Sequence, residues 1–273
     1  MERFVFDFVL DHPNQTAVRL LTQDIQCVSP TQKQKSDNIC PYVVPSIKEI
    51  IKLIDSACVM HDKDRFVSDL FCCMAVSISN LVDLTQYYER EEQYKQIINR
   101  YNKNEQQAMS EICGKLFMLL SSVVYDDGVF DDFLGELFMT CFMGNKHMGQ
   151  FFTPYHVSKL CAKLSIGTPN KSDGKIFTIN DPCCGSGGMV LAAMDVLKND
   201  FGINYAMDCF VDCSDIDLRC VHMTYLQLSL AGVPAIIKHQ DSLTKQLYSV
   251  WRTPAFVLQY MRFRKYNQIF YKS

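Results

Sequence analysis

The stretch Asp181-Pro-Cys-Cys-Gly185-Ser-Gly187-Gly188 decides how the second half of this chain is read. Before it stands Lys175-Ile-Phe-Thr-Ile-Asn-Asp181, which predicts a short buried strand. After it, Met189 to Phe201 has the apolar spacing of a helix. A strand that turns through glycines into a helix lets the backbone approach a ligand at the helix N-terminus, where unpaired N–H groups gather. The glycines also suit a plain strand–helix turn that needs positive φ. The pattern continues with a strand at Asp208 to Cys213, a helix at Leu218 to Leu230 and a third strand at Ala235 to His239. Strand, helix, strand, helix, strand with short links is the grammar of a parallel, doubly wound α/β sheet.

Acidic residues then mark one edge of that sheet. Asp215 and Asp217 close the second strand, where doubly wound folds place a carboxylate that accepts from ribose hydroxyls. Asp241 follows the third strand on the same edge. Each acid alone is equally at home as a helix cap or strand end. Together with Asp181 they predict a ligand lying across the carboxyl ends of three strands.

Working outward, the chain changes character near residue 145. Residues 1–145 read as a helical domain and 146–273 as the α/β domain. Ser46 with Glu49 forms a capping box ahead of Ile50, Ile51, Leu53 and Ile54. Phe66, Leu70, Met74 and Leu81 predict a second helix, and Met109, Ile112, Leu116, Leu119 and Leu120 another. Between them, Tyr87 to Asn104 reads as an exposed, charged helix face, and Asp132 to Phe138 as a short amphipathic segment. Lys33 to Asn38 reads as a loop. Past Gly149, Thr153 is the expected N-cap and Pro154 the first turn of a helix through Val157, Leu160, Cys161 and Leu164 to about Ile166.

Composition narrows the class. The 273 residues carry 27 Lys+Arg against 30 Asp+Glu, a formal charge of −3, so no overall field pulls the protein onto nucleic acid. With 48% hydrophobic residues and 18 Phe, the chain is not disordered. Its 13 cysteines include no Cys-x-x-Cys, and its six histidines lack ligand spacing, so no metal is expected. Reduced cysteines suit a cytoplasmic protein. Glu2 and Asp7 interrupt the apolar N-terminus, which is not read as a secretory signal. The apolar run Phe66 to Leu84 carries Asp69, Asn80 and Asp83 and reads as a buried helix, so no membrane association is expected. The basic and aromatic residues Arg262 to Lys272 read as a solvated tail.

Two motifs in fixed order carry a resemblance. Gly149-Gln-Phe-Phe-Thr-Pro154, followed by Asp181-Pro-Cys-Cys-Gly-Ser-Gly-Gly188, resembles the DNA adenine-N6 methyltransferases, specifically the modification subunits of type I restriction systems. The likeness spans residue 132 to about 243, and Cys183 stands where the family has Ala. It implies a Rossmann-like S-adenosylmethionine-dependent methyltransferase domain behind a helical one, short of the family's C-terminal strands. It also implies DNA as substrate and a separate DNA-specificity subunit as partner. On this likeness Gln150, Phe151, Phe152, Thr153, Pro154 and Tyr155 approach the methionine portion of the cofactor. Asp181, Pro182 and the turn Gly185, Ser186, Gly187 and Gly188 face its amino-acid and sulfonium region. Asp215 matches the ribose-binding acid, with Asp217 as the fallback, and Asp241 resembles the acid that accepts from the adenine amine.

The family's catalytic Asn-Pro-Pro-aromatic motif is missing, and the chain contains no Asn-Pro dipeptide. The nearest candidate is Thr253-Pro254-Ala-Phe256, in which Phe256 would stack on a flipped-out base and Thr253 would offer a hydroxyl in place of a carboxamide. The opposing reading makes that segment a Trp/Phe-bearing helix or loop covering the sheet. Two functions follow: a methyltransferase acting on adenine N6, or a catalytically inactive binding or regulatory protein that keeps only the cofactor half of the fold.

Overall fold

Ser46 opens the first helix as its spacing predicts. The Ser46 hydroxyl accepts from the Glu49 amide, and the Glu49 carboxylate takes the Ser46 N–H at 2.8 Å. The computed structural model describes residues 44–58, 62–124, 128–142, 151–169 and 176–259. Lys33 to Asn38 and the basic C-terminal run lie outside these residues. Helix α1 (Ile47–Ala57) buries Ile50 and Ile54. Helix α2 (Lys63–Val82) is long and apolar enough to cross a membrane by length and composition, yet it is buried from Phe66 to Ser79 as the centre of the core. Helix α3 (Tyr87–Ile98) buries only Arg90 and Ile97, matching its charged sequence. Helix α4 (Lys103–Ser121) begins at a second capping box, Asn102 with Glu105. Helix α5 (Phe133–Phe142) completes the part before residue 145.

The α/β part follows as α6 (Tyr155–Ile166), β1 (Phe177–Asp181), α7 (Gly188–Asp195), α8 (Tyr205–Asp208), β2 (Cys209–Asp215), α9 (Leu218–Leu230), β3 (Ala235–Gln240), β4 (Leu247–Arg252) and α10 (Pro254–Leu258). Two boundaries differ from expectation. Pro154, not Thr153, is the N-cap of α6, and no side chain caps it. Pro154 is itself extended, at φ −54° and ψ 136°, so the helix begins one residue later, at Tyr155. The helix expected to run from Met189 to Phe201 is α-helical only to Asp195 and continues as a π-helical turn, Val196–Asp200.

The sheet order is β1-β2-β3-β4, with the first three strands parallel. The fourth strand corrects the all-parallel expectation. It pairs antiparallel with β3, Ile237 opposite Trp251. The cause is the link, since only an antiparallel neighbour can follow a hairpin. Asp241 closes that hairpin tip: its N–H donates to the Gln246 carbonyl at 3.0 Å, and its carboxylate accepts from the amides of Leu243 and Thr244.

Alternation along the strands supplies two faces. Val211, Cys213, Ala235, Ile237 and Trp251 join one large apolar cluster that also holds Ile50, Phe66, Leu116 and Phe138. Phe210, Ile236, Val250 and Phe256 form a small cluster on the other face. The core is therefore continuous across residue 145. Arg90 of α3 reinforces the join: its guanidinium lies 3.9 Å over the Trp251 ring and donates to the Val250 carbonyl at 2.8 Å.

Candidate functional site

The glycine turn is built by conformations that other residues resist. Gly185 and Gly187 have φ of +56° and +94°, in the left-handed region. A Cβ on Gly185 would lie 3.1 Å from the Phe152 ring. Neighbouring strands and helices tie the turn down. The Cys184 N–H donates to the Ser214 carbonyl at 3.0 Å, and Thr224 Oγ1 of α9 donates to the Gly185 carbonyl at 2.9 Å.

Asp215, at the end of β2, reaches this turn directly. Its Oδ2 accepts from Gly185 N–H at 2.9 Å and its Oδ1 from Asp217 N–H at 2.9 Å. A carboxylate offers about four acceptor positions, so two bonds leave it further capacity. Asp215 lines a cleft of about 300 Å³ with Phe151, Phe152 and Thr153 on one side and Cys183 to Ser186, Gly188 and Met189 on the other. Asp132, Ser158 and Cys220 complete the lining.

The sequence reading did not single out Asp132. It is buried at the start of α5, where its Oδ1 accepts from Gly135 N–H at 3.0 Å and from Gln227 Nε2 at 2.8 Å. Its Oδ2 takes the Ser186 hydroxyl proton. Burial raises the Asp132 pKa, and the bonds from Ser186, Gln227 and Gly135 oppose that rise. Its only advance signal was its place at the head of the amphipathic segment.

The remaining expected residues divide. Asp181 braces the turn from β1 by accepting from Cys183 N–H at 3.2 Å, and burial raises its pKa against that bond. The Pro182 carbonyl accepts from the hydroxyls of Ser214 and Ser242, and Gly187 is the N-cap of α7. Tyr155 turns away from the cleft and donates its hydroxyl to Asp195 at 3.0 Å, beside the Lys159 ammonium. Asp217 caps α9 through Arg219 N–H at 2.8 Å and pairs with the Arg219 guanidinium at 2.6 Å, outside the cleft lining. Asp241 is spent on its own hairpin tip, and two backbone amides there hold its pKa below the usual range. Gln150 lies outside the described residues.

The degenerate catalytic candidate is a correction. Thr253 Oγ1 accepts from Ala235 N–H at 2.9 Å and donates to the Val233 carbonyl at 2.7 Å, so it sits where β3 begins. That is the amino edge of the sheet, opposite the glycine turn. Thr253, Pro254 and Phe256 are all buried, Phe256 against Phe210 at 5.8 Å between ring centroids. Antiparallel β4 carries the segment there, and a buried ring on the wrong edge cannot stack on a base in the cleft.

Residues 126–263, about half of the chain, match the N-6 DNA methylase family. The chain belongs to that family. Members of the N-6 DNA methylase family use S-adenosylmethionine. Among solved structures, the chain is similar to a type I restriction-modification methyltransferase subunit from Streptococcus thermophilus, at 15% identity and a TM-score of 0.40, over 72% of this chain and 57% of that one. It is also similar to a protein described as a class I S-adenosylmethionine-dependent methyltransferase from Listeria monocytogenes, at 18% identity and a TM-score of 0.37, over 67% of this chain and 56% of that one. The chain thus spans little more than half the length of either. No curated protein matches it.

Proposed function

We propose that this N-6 DNA methylase family chain is the methyltransferase subunit of a site-specific DNA adenine-N6 methylation system of the restriction-modification type, with S-adenosylmethionine as donor. The observation that carries this reading is the clamp of Asp215 on Gly185 at 2.9 Å, which joins the acid closing β2 to the turn before α7. The cleft fits the donor chemically. Its glycine turn is a cradle in which Gly185 sits at φ +56° and a Cβ would crowd the Phe152 ring, and Asp215 keeps acceptor capacity for ribose hydroxyls. When bound, S-adenosylmethionine supplies an electrophilic methyl group.

The chain's own residues bind and orient. Phe151, Phe152 and Thr153 form one wall, and Thr153 would hold the donor's carboxylate end. Gly185, Ser186 and Gly188 hold the opposite wall at the N-terminus of α7, whose dipole favours a carboxylate, and Asp181 braces that turn from behind through Cys183 N–H. Transfer then depends on positioning a nucleophilic amine in line with the methyl group. Thr253 to Phe256 take no part. The groups that grip the target adenine come from a DNA-specificity partner or from chain outside the described residues. A partner also suits the formal charge of −3, because phosphate contacts supply most non-specific DNA affinity. Helices α1 to α5 serve as a layer docked on the α/β half. Every described cysteine is free, which suits a cytoplasmic setting.

The test is incubation with methyl-labelled S-adenosylmethionine and unmethylated DNA, with and without a specificity subunit. Label recovered as N6-methyladenine is expected in the presence of the partner. Donor binding with no label on DNA under either condition would overturn the methyltransferase reading.

A further inference from the structure

Contacts in series join the helical layer to the glycine turn. Asp64, in the first turn of α2, accepts from Arg219 Nη1 at 2.9 Å. Arg219 also grips Asp217 through Nη2 at 2.6 Å and Nε at 3.1 Å. The Asp217 N–H then donates to Asp215 Oδ1 at 2.9 Å, and Asp215 Oδ2 accepts from Gly185 N–H at 2.9 Å. Of these residues only Asp215 and Gly185 line the cleft. Asp64, Asp215 and Asp217 place three carboxylates along the series, and Arg219 is its cation.

We propose that Arg219 is a positioning residue for the methyl donor and that Asp64, on α2, tunes donor affinity through it. The proposal rests on reading the cleft as the S-adenosylmethionine site. Asp217 is held by the Arg219 guanidinium on one side and donates its N–H to Asp215 on the other, so the cation fixes the outer end of the turn that carries both acids. A guanidinium can hold Asp64 and Asp217 at once because its donors form a rigid fork, whereas an ammonium is a point charge. Contact with Asp217, and then with Asp64, keeps Arg219 firmly protonated. The ring of Phe138 lies 5.5 Å from the guanidinium and limits its swing. With Arg219 in place, the turn into α9 holds the Asp215 carboxylate on Gly185. Without it, that carboxylate loses its aim.

Donor affinity by titration calorimetry and exchange of the Gly185 amide by NMR test this in four variants. Asp64→Ala should bind S-adenosylmethionine about tenfold more weakly, and Arg219→Met about thirtyfold. Arg219→Lys should fall between wild type and Arg219→Met, and Gly185 exchange should quicken in the same order. Asp55→Ala breaks the Lys63–Asp55 ion pair at the same end of α2, outside the series, and should leave both readouts unchanged. Wild-type affinity in Asp64→Ala, or an equal loss in Asp55→Ala, overturns the proposal. If wild type binds no donor, the functional reading falls. Gly185 exchange then decides the series alone: quickened exchange in Asp64→Ala supports it, and unchanged exchange sinks it.

Discussion

The side-chain amide nitrogen of Gln227 lies 2.8 Å from Asp132 Oδ1 and 2.7 Å from the Ser186 carbonyl oxygen, with all three residues buried. This one donor fastens α9 to both α5 and the glycine turn. Gln227→Leu would remove it and leave a buried carboxylate and a buried carbonyl short of a partner. Such losses cost about 2–3 kcal/mol. Urea unfolding should show that drop, and a change within about 0.5 kcal/mol, the scale of an ordinary surface substitution, would count against the network.

Glycines of two kinds can be told apart. At Gly188 an added Cβ would sit 2.7 Å from Asp132 Oδ2, in a carboxylate held by Ser186 through that oxygen and by Gly135 and Gln227 through the other. At Gly232 nothing lies within 4 Å, but φ is +69°. Gly232→Ala should therefore cost about 1–2 kcal/mol of backbone strain and leave donor binding alone. Gly188→Ala should cost about 1–3 kcal/mol through overpacking and also weaken donor binding, because the clash moves the cleft wall. Paired calorimetry and thermal unfolding distinguish the two.

Acid sensitivity should trace to His222. Burial, helped by the positive charge of Arg90, holds its pKa down at about 3, against an ordinary 6.5. As pH falls below 6.5 the unfolded chain takes up a proton that the folded chain refuses until about 3. The stability is complete above 6.5 and is lost as pH falls, by up to about 1.4 kcal/mol per pH unit. Asp132, Asp181 and Asp212 have raised pKa values through burial, so their contribution runs the other way and fades as pH rises above 3.8. Of these four groups only His222 loses stability as pH falls through the window from 6.5 to 3.8. His222→Phe, which keeps a ring near Trp251, should flatten the urea midpoint across that window.

The segment around Thr253 should behave as structure. Thr253→Val loses a donor to Val233 and an acceptor for Ala235, at a cost of about 1–3 kcal/mol. Phe256→Ala empties the small cluster with Phe210 and Ile236, at about 3–5 kcal/mol. Donor affinity should be unchanged in any fraction that remains folded. A loss of methyl transfer in Thr253→Val with full stability would restore a catalytic role.

What sequence could show followed from local chemistry. The strand–turn–helix around Asp181 to Gly188, the Ser46 cap and the placement of Asp215 are each set by neighbours in the chain, and local spacing revealed them. The course of β4 is set by a hairpin tip in which Asp241 bonds its own backbone, a choice that an acid after a strand does not announce. Asp132 acts across more than fifty residues on Ser186 and nearly a hundred on Gln227, beyond any periodicity. Asp217, the fallback for the ribose-binding acid, caps α9 and pairs with Arg219 two residues on, a local choice that spacing alone leaves open.

The undivided core has a consequence for recombination. The composition invites a splice near residue 145, yet Arg90 before that point rests on Trp251 after it, and Asp83 pairs with Arg252 at 3.1 Å. A chimaera joined there from two relatives would inherit halves of these pairs that never evolved together. Its failures would concentrate where α3 meets β4, a seam whose residues do not line the cleft.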